Sequence, residues 1–240
     1  MEEKLSGIVL GGVNFAENDK ILNIFTLEKG VVSAKIKGVK KAGAKLKFAA
    51  EPFCFAEFVF SKTQDKRTVI NASLIDSFYP VREDIKKYFA AGTVLEFIKR
   101  FYKENMIDPE EFFECVNTLK TIAYGDGNYL SALVKFLIDA LSESGYKLSL
   151  DGCFHCLTKI EGRTFFDYRI GAFLCEDCFD GTGREINPVT MHALISAENG
   201  SLLDDHPGVV KALKLIDYYV FNRTEVTLSS LKELIKICEM

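Results

Sequence analysis

Two short cysteine pairs constrain this chain more than any other feature. Cys153-Phe154-His155-Cys156 is followed, after eighteen intervening residues, by Cys175-Glu176-Asp177-Cys178. That separation is the spacing of a four-thiolate zinc site. Each pair lets two sulfurs reach one ion from a single tight turn, and the loop between must fold back to deliver the second pair. Four cysteines close the coordination shell, so the expected zinc, one per chain on Cys153, Cys156, Cys175 and Cys178, holds structure and does not activate water. His155 could replace a thiolate, but with four cysteines at hand it reads as a bystander. The competing reading for the cluster is a pair of disulfides.

A disulfide framework fits poorly with the rest of the chain. The sequence starts with Met1, Glu2, Glu3 and Lys4, unlike the basic and then apolar start of an export signal, and no run approaches eighteen apolar residues. A cytoplasmic protein is therefore expected, in a compartment where thiolates meet metal more readily than one another. Cys54, Cys115 and Cys238 lie in apolar surroundings and read as core thiols.

Hydrophobic periodicity changes once along the chain. Residues 5–13, 20–26, 31–39, 52–60 and 67–77 are five runs rich in β-branched and aromatic side chains. In the third, Val32, Ala34 and Ile36 alternate with Ser33, Lys35 and Lys37. Five short strands within residues 1–80 suit a small OB-type barrel. From residue 81 onward the period is helical. Ala91, Val94, Leu95, Ile98, Phe101 and Tyr102 share one face of a helix over about residues 83–104. Asp108, Pro109 and Glu111 mark the start of a second helix with a capping box. Leu130, Leu133, Val134, Leu137, Ile138 and Leu141 form the stripe of a third that stops near Gly145. Two more helices, about 208–222 and 230–238, end the chain. The expected class is α+β: an OB barrel in residues 1–80, then a helical domain over 81–240 with a zinc finger at about 151–184.

Charge divides along the same line. The chain carries −4 overall, but residues 1–80 hold 12 Lys and Arg against 9 Asp and Glu, while residues 81–240 hold 18 against 25. Between residues 29 and 50 stand Lys29, Lys35, Lys37, Lys40, Lys41, Lys45 and Lys47, with no acidic residue among them. Loops of an OB barrel border its nucleic-acid groove, and lysine there neutralises phosphate and releases counterions. Lys35, Lys37, Lys40, Lys41, Lys45 and Lys47 are the candidate nucleic-acid-binding residues. An edge strand guarded by lysines against pairing would show the same pattern. Phe48, Phe53 and Phe55 lie close enough in sequence to stack bases, although a chain with 20 Phe and no Trp needs most of its rings for core.

Signatures of catalysis are missing. There is no GxxxxGK[ST], no GxGxxG after a strand and no HExxH. A nucleobase deaminase would need His-x-Glu ahead of Pro-Cys-x-x-Cys, and neither is present. Asp204, Asp205, His206 and Pro207 read as a polar turn before a helix, and Asp126 and Asp180 beside glycines read as turns. No enzymatic activity is expected.

The combined motifs resemble the RecO family of bacterial recombinational repair proteins. They begin with Gly7-Ile8-Val9-Leu10, Glu17-Asn18-Asp19-Lys20-Ile21-Leu22, Phe25-Thr26 and Gly30. Lys37-Gly38-Val39-Lys40-Lys41, Glu51-Pro52-Phe53 and Gly145-Tyr146 ahead of the cysteine pairs follow in the same order. Ala44 stands where the family commonly has serine, and Ala50 where it commonly has leucine. The resemblance implies an OB fold, a helical bundle and a zinc-finger insertion. It also implies binding of single- and double-stranded DNA, annealing of complementary strands, and help in loading recombinase onto single-stranded DNA. The partners it implies are RecR, single-stranded DNA-binding protein and, in some settings, RecF. The alternative from another class is an OB-fold protein–protein adaptor with a structural zinc site, because fold does not fix function.

Overall fold

The computed structural model describes residues 2–64, 66–125, 127–203 and 207–240. The turns read at Asp126 and at Asp204–His206 lie outside the described residues. The chain divides into two compact units, Met1–Glu83 with Leu95–Asn117, and Asp84–Val94 with Thr118–Met240. None of the described helices is long and apolar enough to cross a membrane.

The first unit holds five strands: β1 (Glu2–Phe15), β2 (Asp19–Thr26), β3 (Gly30–Ile36), β4 (Phe55–Thr63) and β5 (Lys66–Asp76). They close into a barrel in the order β1-β2-β3-β5-β4, with β1 antiparallel to both β2 and β4 and β3 parallel to β5. This is the OB arrangement. β1 pairs with β4 through Glu2–Ile8 and with β2 through Gly7–Phe15, so it must change direction midway. A bulge between Val9 and Gly11, where Gly11 has φ 135°, makes that bend. Alternation in β3 is as expected, with Val32, Ala34 and Ile36 buried and Ser33 and Lys37 exposed. With Val9, Leu22, Ile24, Phe58 and Phe60 they fill the barrel interior. Each Val, Leu, Ile or Phe among them contributes about 1.5–3 kcal/mol by leaving water.

β1 extends past both of its expected ends and β4 past its expected C-terminal one, to Thr63; two further ends fall short for a backbone reason. β3 stops at Ile36 rather than residue 39, because Gly38 turns the chain at φ 64°. β4 begins at Phe55 rather than residue 52. Buried Phe53 adopts φ 68°, and the segment joins β1 through Phe53 N–H to Val9 O (3.0 Å) and Val9 N–H to Cys54 O (2.9 Å).

Outside the barrel the first unit is tied by a buried Arg67. Its guanidinium meets Glu3 at 2.9 Å and Glu104 at 2.8 Å. Gly30, at φ 69°, lies so close to the backbone near Glu104 that a Cβ would sit 2.5 Å from the carbonyl oxygens of both Lys103 and Met106. Gly30→Ala is expected to lower stability by more than about 1 kcal/mol. An unchanged urea midpoint would contradict that.

Helices α1 (Ile85–Phe101) and α2 (Pro109–Tyr124) contribute residues to both units. Asp84 starts α1 by accepting from the Lys86 and Lys87 N–H groups at 2.8 and 3.0 Å. Asp108 caps α2 as expected, accepting from the Glu111 N–H at 3.0 Å. In the second unit α3 (Tyr129–Glu143) ends just before Gly145. The expected apolar stripe is buried, but so are Ser131, Ala132, Phe136 and Ala140, which makes α3 a central helix buried nearly all round.

Four elements of this unit were not expected. Strands β6 (Thr164–Asp167), β7 (Ala172–Cys175) and β8 (Arg184–Ile186) form a sheet in the order β7-β6-β8. Helix α4 (Pro188–Glu198) follows, with Asn187 accepting from Val189 N–H at 3.0 Å and Pro188 opening the helix. Helices α5 (Pro207–Thr224) and α6 (Ser229–Cys238) complete the unit. Cys54 and Cys115 are core residues, whereas Cys238 is only half-buried because it ends α6 at the surface.

Candidate metal centre and nucleic-acid interface

The small sheet explains how distant cysteines meet. β7 ends on Cys175, and a short 3-10 turn carries Cys178. The first pair is held against that strand by Phe154 N–H donating to Phe173 O at 2.9 Å. Its own turn closes through Leu157 N–H to Cys153 O (2.8 Å) and Cys153 N–H to Thr158 O (2.9 Å). Gly152, at φ 136°, leaves room for the second contact, since a Cβ there would stand 2.7 Å from Thr158 O.

The sulfurs of Cys153, Cys156, Cys175 and Cys178 all lie within 4.8 Å of one another, and Cys156 and Cys175 are 3.8 Å apart. Tetrahedral coordination at about 2.3 Å per sulfur places neighbouring sulfurs about 3.8 Å apart, so the donor set fits one ion. His155 is exposed and outside the group. Burial opposes ionisation of Cys153, yet N–H groups of Cys156, Cys175 and His155 aimed at its sulfur outweigh this and bring its thiol down to about 6. Cys178, surrounded by the other three sulfurs, is pushed up to about 12. Four sulfurs this close cannot all be thiolates without a cation among them.

Around the cluster the surface is braced by arginine. Arg163 spans Glu176 at 2.9 Å and Glu185 at 2.7 Å, joining the second cysteine turn to β8. Arg169 pairs with buried Asp167 at 2.6 Å and with Asp180 at 3.3 Å. Hydrogen bonds from Thr182 hold the Asp180 carboxyl down at about 2.

The lysine-rich segment leaves β3 and returns to β4 as a chain of tight turns. Lys41 N–H donates to Gly38 O at 3.1 Å, Ala44 N–H to Lys41 O at 3.1 Å and Lys47 N–H to Ala44 O at 3.3 Å. Two further bonds seat this loop against the β1–β2 turn: Gly38 N–H to Asp19 Oδ1 (2.8 Å) and Lys40 N–H to Asn18 O (3.1 Å). Asp19 also accepts from Lys35 Nζ at 2.8 Å. These bonds, Lys35 first and then the Gly38 N–H, lower its carboxyl below the usual range.

The candidate lysines divide into two kinds. Lys35 is half-buried and paired, and its ammonium lies 4.5 Å from the Phe15 ring centroid. Lys37, Lys40, Lys41, Lys45 and Lys47 are exposed, and among the described residues none of them enters an ion pair. The three phenylalanines weighed for stacking are otherwise engaged. Phe53 is buried, Phe55 packs on Phe112 at 5.9 Å and Phe48 lies against the barrel core. Phe15 was missed. It ends β1, is 45% exposed and stands beside Lys35. Its position in the first hairpin of an OB barrel was the available signal.

Comparison with known proteins agrees with this architecture. A model of the recombination protein O N-terminal region matches residues 1–78, and one of the recombination protein O C-terminal region matches residues 82–232. The chain is similar to the DNA repair protein RecO of Acetivibrio thermocellus, 30% identical over 177 residues that cover 74% of this chain and 70% of that one. It is 29% identical to the RecO of Caldicellulosiruptor bescii over 76% of this chain and 75% of the other. The RecO of Bacillus subtilis is 29% identical over 75% and 70%.

Proposed function

Because this chain belongs to the RecO family, we propose that it is a non-enzymatic mediator of recombinational DNA repair. In this reading the barrel unit holds DNA, single- or double-stranded, and the protein promotes pairing of complementary strands. It also helps a recombinase onto single-stranded DNA in concert with RecR, single-stranded DNA-binding protein and, in some settings, RecF. One observation carries the reading: five exposed lysines, free of ion pairs among the described residues, on a loop pinned to the first hairpin of an OB barrel.

The chemistry needs no bond-making group. Two DNA strands repel through their phosphates, and a cationic surface reduces that repulsion while base pairing supplies the driving force. Lys37, Lys40, Lys41, Lys45 and Lys47 neutralise phosphate; Lys35 has a different part. Its salt bridge with Asp19 orients the loop and steadies Phe15, whose open face offers a stacking platform for a base.

The four cysteines fit zinc, bound by Cys153, Cys156, Cys175 and Cys178. Bound there, zinc would supply cohesion, neutralising the crowded thiolates and linking Cys153 and Cys156 of the first turn to Cys175 at the end of β7. Glu176 and Asp177 on the second turn argue against that end of the segment contacting phosphate.

A salt titration of oligonucleotide binding tests the reading. Affinity for a labelled single strand is expected to fall with a slope near 0.7 log units per phosphate contact per tenfold salt. Phe15→Ala is expected to weaken binding by about 1–3 kcal/mol while leaving that slope unchanged, because stacking releases no counterions. Absence of binding at low salt would instead favour the protein–protein adaptor.

A further inference from the structure

The second unit carries its own concave cationic surface. A cavity of about 370 Å³ is lined by Tyr168, Arg184, Asn187, Lys211, Lys214 and Tyr218, among others. Three cations from two elements, β8 and α5, therefore face one opening. The setting makes this unusual, since residues 81–240 carry seven more acidic than basic side chains.

Two of the three charges there are available. Among the described residues neither Arg184 nor Lys211 enters an ion pair, and both are exposed. Lys214 pairs with Glu239. Glu185, the carboxylate in the lining, is turned to Arg163 at 3.0 and 2.7 Å and so does not cancel Arg184.

Aromatic faces stand among these cations. Tyr218 is 41% exposed, Arg184 lies 5.2 Å from its ring centroid, and Tyr168 meets it edge-on at 4.5 Å. Tyr168 is itself held by Phe166 at 5.0 Å. Lys211, Lys214 and Tyr218 follow one another at helical spacing on the exposed side of α5, a stripe about 10 Å long. Rings interleaved with cations along a shallow groove are what a single nucleic-acid strand requires, with bases on the rings and phosphates on the cations. An acidic peptide would pair with the cations but bring no ring to stack on the exposed part of Tyr218.

We propose that the Arg184–Lys211–Tyr218 groove is a second single-strand-binding site, separate from the barrel lysines and able to hold another strand. The inference rests on the DNA-binding reading above and adds a location for the second strand. Annealing by one molecule then means a strand on each unit.

Photocrosslinking of the unaltered, zinc-loaded protein to a 5-iododeoxyuridine-substituted oligonucleotide is expected to label Tyr218 or Tyr168. A second measurement uses protein whose barrel is already saturated with one strand. There the doubly substituted Arg184→Glu, Lys211→Glu protein should bind a further, non-complementary strand about tenfold more weakly. Its first-strand affinity should change less than about twofold, and Tyr218→Phe should behave as the unaltered protein does. Crosslinks confined to the barrel unit, or second-strand binding unmoved by the double substitution, would overturn the second site and leave barrel binding intact. So would a glutamate decapeptide that occupies the groove while oligonucleotides fail to displace it. If the unaltered protein bound no strand at all, the broader reading would fall first.

Discussion

Replacing Lys37, Lys40 and Lys41 together by glutamate will weaken single-stranded DNA binding by on the order of a hundredfold at low salt, and flatten the salt dependence by about two log units per decade. Each substitution removes a cation and adds an anion beside the strand. All three side chains are exposed and, among the described residues, outside any ion pair, so the fold loses nothing comparable. The structural bonds of this loop come from the backbone N–H groups of Gly38, Lys40 and Lys41, which survive the change. Thermal melting should therefore stay within a few degrees of the unaltered protein. Fluorescence anisotropy across a salt series measures both quantities. Undiminished affinity in a folded triple variant would place the strand elsewhere. Lys35→Glu is a different experiment, since it sets two carboxylates against each other at Asp19 and perturbs the loop itself.

If the four cysteines hold zinc as proposed, removing it should have the largest effect on stability. Apparent zinc affinities of four-thiolate segments correspond to on the order of 10 kcal/mol, and this energy is folding energy. Chelation, or Cys175→Ser, is expected to unfold the β6–β8 sheet and the two cysteine turns. The reason is local: β7 ends in a ligand, and the first turn reaches β7 through one backbone bond, from Phe154 to Phe173. Amide hydrogen exchange should show protection lost at residues 164–167 and 172–175. The first unit should keep its protection, because its barrel closes through its own hydrogen bonds and core. Protection unchanged after verified removal of the metal would show that the sheet stands without it.

Much of this was legible along the chain because it depended on local rules. Alternation in β3 announced its buried face, Asp108 and Pro109 announced the start of α2, and Gly145 the end of α3. The cysteine spacing singled out four residues whose sulfurs the structure brings within 4.8 Å of one another. Helix α4 escaped because apolar residues fall on most of its faces, Val189, Met191 and Ile195 as well as the buried Ala193, Leu194 and Ala197, so no polar face sets off a stripe, although Asn187 and Pro188 were readable as its start. β6 to β8 have three or four residues each, too few for alternation to show.

The sequence by itself determined the four-cysteine set, the barrel-then-helices order and the location of surplus positive charge, since each is written in residue type and spacing within a short window. Only the tertiary structure decided which of those charges are usable. It spends Lys35 on Asp19, buries Phe53, presents Phe15 and gathers Arg184 with Lys211 and Tyr218 from separate elements. Coulombic pairing and burial depend on distance in space, and residues far apart along a chain acquire that distance only when it folds.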